Sequence, residues 1–104
     1  MLVITRFRAP SERADTFAAE LRAVVDALAA RPGYVHGFAG RNLDDPTLWT
    51  LTTRWENVGA YRRALSSYDV KVAAARPYAH ALEEPSAYTD AYEDVVDDDP
   101  TTRR

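Results

Sequence analysis

Segments with strand, helix, strand, strand, helix and strand periodicity follow one another along this 104-residue chain. That order predicts an α+β fold of the split βαβ, ferredoxin-like type, with an antiparallel sheet. Two further observations support it. Phe17, Leu21, Val24, Val25 and Leu28 recur at helical spacing, which gives one apolar stripe for packing on a sheet. Trp49, Leu51, Thr53 and Trp55 alternate along a strand, and alternation places all four on one face.

The elements follow in order. Leu2 to Arg8 reads as a first strand, with Leu2, Val3 and Ile4 apolar on both faces. Pro10 ends it, and Ser11 is placed to cap the first helix, with Glu12 in its first turn. Alanines along that helix raise its propensity, and Arg31-Pro32-Gly33 stops it. Tyr34 to Asn42 is a second strand, in which Gly37 and Gly40 suggest a bulge or a close backbone approach. Leu43-Asp44-Asp45-Pro46 is a turn into the third strand, Leu48 to Trp55. Asn57 then caps a second helix that presents Ala60, Tyr61, Ala64 and Leu65 inward. Ser66-Ser67 interrupts it, and a further helical stretch from Tyr68 to Leu82 is split by Pro77. Pro85 introduces a last strand, about Ser86 to Glu93.

Residues 1–93 thus form one domain, and 94–104, rich in aspartate and without a core pattern, read as an acidic disordered tail. Right-handed crossovers put both helices on one sheet face. Apolar groups on the other face imply a partner, and the simplest partner is a second copy, a homodimer joined sheet to sheet.

Composition narrows the function. At 46% hydrophobic and 28% charged, the chain reads as soluble and globular. A net charge of −3 and scattered arginines argue against nucleic acid as a partner. There is no cysteine, hence no disulfide, thiol nucleophile or cysteine metal site. No run is long enough to span a membrane, and no signal core follows Met1, so a cytoplasmic location is expected. His36 and His80 lack metal-ligand spacing. No phosphate loop or serine elbow is present, so neither a metal nor a cofactor is expected.

What remains is a pocket between sheet and helices. Trp55 and Tyr61 are its polar-tipped aromatic residues; Trp49, Leu51 and Thr53 share the Trp55 strand face, and Phe17 and Leu65 come from the helices. Such a pocket suits a flat, small aromatic ligand. The alternative is that Trp55 and Tyr61 are core residues whose N–H and O–H are satisfied locally. His36 is a candidate base, with a structural or surface role as its alternative.

Four segments carry a resemblance over about residues 1–92. They are Ile4-Thr5-Arg6-Phe7-Arg8, Arg31-Pro32-Gly33-Tyr34-Val35, Leu43-Asp44-Asp45-Pro46 and Arg54-Trp55-Glu56-Asn57-Val58-Gly59-Ala60-Tyr61. With Ser67, they make the chain resemble the antibiotic biosynthesis monooxygenase family, small dimeric α+β barrel proteins. The resemblance implies a homodimer. In some members it also implies oxidation of a polycyclic phenol or anthrone by O2 without flavin, haem or metal. An electron-rich phenolate can itself donate an electron to oxygen, so the protein has to bind it, favour its ionised form and exclude water. In such members an asparagine, a tryptophan and a tyrosine surround the substrate. The last two match Trp55 and Tyr61, while the asparagine position falls at Leu51. Haem-degrading relatives carry a histidine where Ala64 or Leu65 stands here, so haem is not expected. The resemblance implies a cofactor-independent monooxygenase acting on an aromatic or polyketide-type molecule. Its rival is a non-catalytic dimeric module that binds a small aromatic ligand or serves as an accessory subunit.

Overall fold

The computed structural model of the chain describes residues 1–92. Glu93 and the 94–104 segment, with the domain boundary placed there, lie outside the described residues.

Strand β1 (Leu2–Arg8) leads through a short 3-10 turn, Ser11–Arg13, into helix α1 (Ala14–Ala29). Ser11 therefore sits inside the 3-10 turn, and no side chain caps α1. The backbone makes the turn instead, with Arg13 N–H donating to the Pro10 carbonyl. Phe17, Leu21, Val24 and Leu28 of α1 are all buried. Their transfer from water contributes on the order of 8 kcal/mol before conformational entropy is subtracted. Gly33 ends the α1 connection at φ +87°, the left-handed region. A Cβ there would collide with the Cβ of Ala60 on the second helix. Glycine is thus required twice over, by backbone angle and by close approach.

Strands β2 (Tyr34–Arg41) and β3 (Leu48–Trp55) form a hairpin. Its register shifts between Tyr34 and His36, the irregularity the glycines in this strand suggested. Asp45 closes the turn by accepting from the backbone N–H and hydroxyl of Thr47. Those bonds, together with the Arg8 guanidinium, hold its carboxyl down at about 2. Helix α2 (Val58–Leu65) opens on Asn57, whose side chain accepts the Ala60 N–H at 2.8 Å. Helix α3 (Tyr68–Ala74) follows, and Pro77 begins a 3-10 turn, Pro77–His80, that ends the helical stretch. The last strand, β4, is only Ala87–Tyr88, shorter than the Ser86 to Glu93 expected.

The sheet order is β2-β3-β1-β4, all neighbours antiparallel. Val3 and Phe7 of β1 are buried with Trp49, Leu51, Thr53 and Trp55 of β3, on the face toward the helices. Leu2, Ile4 and Arg6 pair with Arg54, Thr52 and Thr50 on the opposite face. Phe38 of β2 joins them there and is 54% exposed. Among the described residues no helix is long and apolar enough to cross a membrane.

Candidate functional site

Strand alternation on β1 and β3 supplies the floor of a cavity of about 160 Å³. Val3, Thr5, Leu51 and Thr53 form that floor; Val24 and Leu28 of α1, Tyr61 and Leu65 of α2, and Val70, Lys71 and Ala74 of α3 form the walls, with Tyr78 from the turn after α3. The lining is chiefly apolar, with hydroxyls at Thr5, Thr53, Tyr61 and Tyr78 and one amine at Lys71.

Tyr61 enters because the Asn57 cap starts α2 directly after β3, so the helix's first turn lies back over the strand end. Its ring meets the Trp55 indole at 5.8 Å between centroids. Burial raises its phenol pKa above the ordinary value. Tyr78 is held more firmly. Its ring packs edge-on against Phe7 at 5.1 Å, and Thr5 lines the same cavity. Burial, reinforced by the neighbouring Tyr61, pushes the Tyr78 phenol up to about 12, with the Thr5 hydroxyl acting in the opposite direction. Both phenols are therefore protonated at neutral pH and can donate hydrogen bonds. Lys71, the only lysine in the sequence, lines the cavity with its side chain exposed and makes no ion pair with the described residues.

The expected site residues separate into three groups. Leu51, Thr53, Tyr61 and Leu65 line the cavity together. Trp55 backs this wall without being part of it; it is fully buried, and its indole N–H donates to Thr53 Oγ1 at 2.9 Å. Phe17 and Trp49 lie in the core beyond the far end. Their rings meet at 5.4 Å, and Phe17 also packs on Phe7 at 5.6 Å. Trp49 borders a different hollow, between α1 and β2, where the Arg41 guanidinium stacks over its ring at 5.1 Å.

His36 does not line this cavity: it lies on the helix-free face, in a depression with Leu2, Phe38, Thr52 and Arg54, a placement that fits the alternative of a structural or surface role. The register shift beside Tyr34 sets which face each β2 side chain takes, and plain alternation could not fix it. His80 packs edge-on against Phe17 at 5.6 Å and meets Arg13 at 3.0 Å.

Thr5, Lys71 and Tyr78 were not anticipated as site residues. A signal for Tyr78 exists in the sequence: Val70, Ala74 and Tyr78 are spaced by four, which puts them on one helical face. Thr5 lies between Val3 and Phe7 at strand period two. Among the described residues no three histidine, aspartate or glutamate side chains converge as a metal site. The arrangement can bind an apolar ring, donate hydrogen bonds to an oxygen on it and offer a positive charge at the rim.

Comparison with known proteins places this geometry. The profile of the family described as antibiotic biosynthesis monooxygenase matches residues 1–76. No curated protein matches the chain. Among solved structures, an asparagine-to-alanine variant of SnoaB, a cofactor-independent oxygenase from Streptomyces nogalater, superposes with a TM-score of 0.78 at 21% identity, covering 86% of this chain and 91% of that one. A protein from Nitrosomonas europaea, described as of the antibiotic biosynthesis monooxygenase type, gives a TM-score of 0.72 at 15% identity, covering 88% of this chain and 90% of that one. At these identities the likeness is one of fold.

Proposed function

Because the chain belongs to the antibiotic biosynthesis monooxygenase family, we propose that its monooxygenase-like role is cofactor-independent oxidation of a small aromatic molecule by O2. The observation that carries this reading is the cavity itself. It is apolar and about 160 Å³ in volume, with two neutral phenols, Tyr61 and Tyr78, among its walls. A dry cavity of about 150 Å³ holds benzene, so one aromatic ring fits inside, and a fused system would project past Lys71 at the rim.

In this reading the substrate supplies the electron. A ring hydroxyl or enol ionises, and hydrogen bonds from protonated tyrosines stabilise the resulting oxyanion in a water-poor setting. Tyr61 is the donor or proton relay nearest the Trp55 wall. Leu51 and Leu65 hold the ring, and Trp55 supports Tyr61 and Thr53 from behind. The working unit is a homodimer in which the helix-free sheet faces meet.

One observation favours a second reading, a non-catalytic module that binds a small aromatic ligand. The Trp55 N–H is committed to Thr53, which leaves one donor fewer for a reacting oxygen. Oxygen uptake separates the two. With a panel of hydroquinones, naphthols and anthrones, the first reading expects consumption of O2 that Tyr61→Phe lowers at least tenfold. Binding without any O2 consumption across the panel returns the protein to the second.

A further inference from the structure

Tyr78 lines the cavity, and it comes from a part of the fold that the strand-and-helix pattern around Trp55 does not involve. Pro77 breaks the helical stretch and starts a 3-10 turn. That turn delivers Tyr78 to the cavity beside Thr5 of the central strand β1. Phe7 packs edge-on against its ring at 5.1 Å, and Thr5, Val70 and Ala74 line the same cavity.

We propose that Tyr78, beside Thr5 in the cavity wall, is the residue that binds the oxygen of an aromatic alcohol or enol in this cavity, with Tyr61 as the second donor to the same ligand. This rests on the cavity being the ligand site. A hydroxyl both donates and accepts. Burial against Phe7 keeps the Tyr78 phenol protonated, so it acts as a donor and not as a base. The ring itself is bound by Leu51, Leu28 and Leu65 without reference to its oxygen. Recognition therefore divides: the apolar walls select the ring, and Tyr78 selects the hydroxyl.

The division can be measured with two probes of nearly equal size, 4-chlorophenol and 4-chlorotoluene, titrated into the intact protein by calorimetry. Wild type should bind the phenol roughly tenfold or more tighter than the toluene, as expected where a site's buried polar group loses its partner. Tyr78→Phe should erase most of that preference while leaving 4-chlorotoluene affinity within about twofold.

Equal weakening of both probes by Tyr78→Phe would assign Tyr78 to packing and overturn the proposal. So would an unchanged preference in a folded variant, or failure of wild type to bind 4-chlorophenol at millimolar concentration. Oxygen uptake is independent of these titrations. A Tyr78-dependent preference in a protein that consumes no O2 with any substrate keeps this assignment and removes the monooxygenase reading.

Discussion

The indole N–H of Trp55 is held by Thr53 Oγ1, two residues earlier on the same face of β3, at 2.9 Å and fully buried. Alternation makes this pairing possible, since residues two apart on a strand point the same way. The bond satisfies a donor that would otherwise be orphaned in the core. It also links the support of Tyr61 to the cavity floor, because Thr53 lines the cavity and Trp55 touches Tyr61.

Thr53→Val keeps the shape and removes the acceptor. Leaving a buried donor unsatisfied should cost about 1–3 kcal/mol. Urea unfolding of the variant checks this. A loss below about 0.5 kcal/mol would mean that the indole finds another acceptor.

Tyr61→Phe should behave in the opposite way. Its hydroxyl makes no hydrogen bond to a described residue, while its ring keeps the packing against Trp55. Stability should change by less than about 1 kcal/mol, and ligand affinity or turnover should fall roughly tenfold. A variant that melts early and binds normally would identify the hydroxyl as a structural group.

Gly33→Ala should be among the most damaging small changes in the protein. It places an L side chain at φ +87° and drives its Cβ into Ala60, on the helix that carries Tyr61. The expected loss is roughly 1–3 kcal/mol. Adding Ala60→Gly removes the collision but not the backbone strain, so the double variant should recover only part of the loss. Thermal melts of Gly33→Ala, Ala60→Gly and the double variant distinguish the two contributions.

Much of this architecture is legible in the sequence because single periodicities govern it. The stripe from Phe17 to Leu28, the alternation from Trp49 to Trp55 and the Asn57 cap each follow from local chemistry, and each is found where expected. The lining of the candidate cavity is legible where it rests on those patterns, as Leu51, Thr53, Tyr61 and Leu65 do. It is not legible where geometry depends on a local irregularity. The shift beside Tyr34 takes His36 to the helix-free face. The 3-10 turn at Pro77 decides where Tyr78 and His80 point. Trp55 illustrates a third case: its face is correct, but the partner of its N–H depends on side-chain rotamers, which periodicity does not encode.

The helix-free face should be the dimer interface. Leu2, Ile4 and Phe38 stand on it, and Phe38 is 54% exposed in the single chain. An obligate interface of more than about 2,000 Å² is expected. Phe38→Glu should shift sedimentation toward monomer by placing a charge at its centre. A wild-type protein that sediments as a monomer at micromolar concentration would refute the arrangement.

Alkaline titration should isolate Tyr78. Its folded-state pKa is raised to about 12 from an ordinary 10.0, chiefly by burial. The unfolded chain therefore releases the phenolic proton first as pH rises. Between these two values the unfolded state binds fewer protons than the native state, so stability falls with increasing pH. The stabilisation tied to this proton is complete below about pH 10 and is lost by about pH 12. A shift of about two units corresponds to an order of 2–3 kcal/mol. Tyr61, whose pKa is also raised by burial, adds in the same direction. Tyr78→Phe has no such proton to lose, and its decline over this interval should be shallower than that of wild type by up to that amount. Urea midpoints measured at intervals from pH 9 to pH 12 check this. Parallel curves for the two proteins would mean that the Tyr78 hydroxyl titrates as freely in the folded protein as in the unfolded chain, and that water reaches it through the cavity.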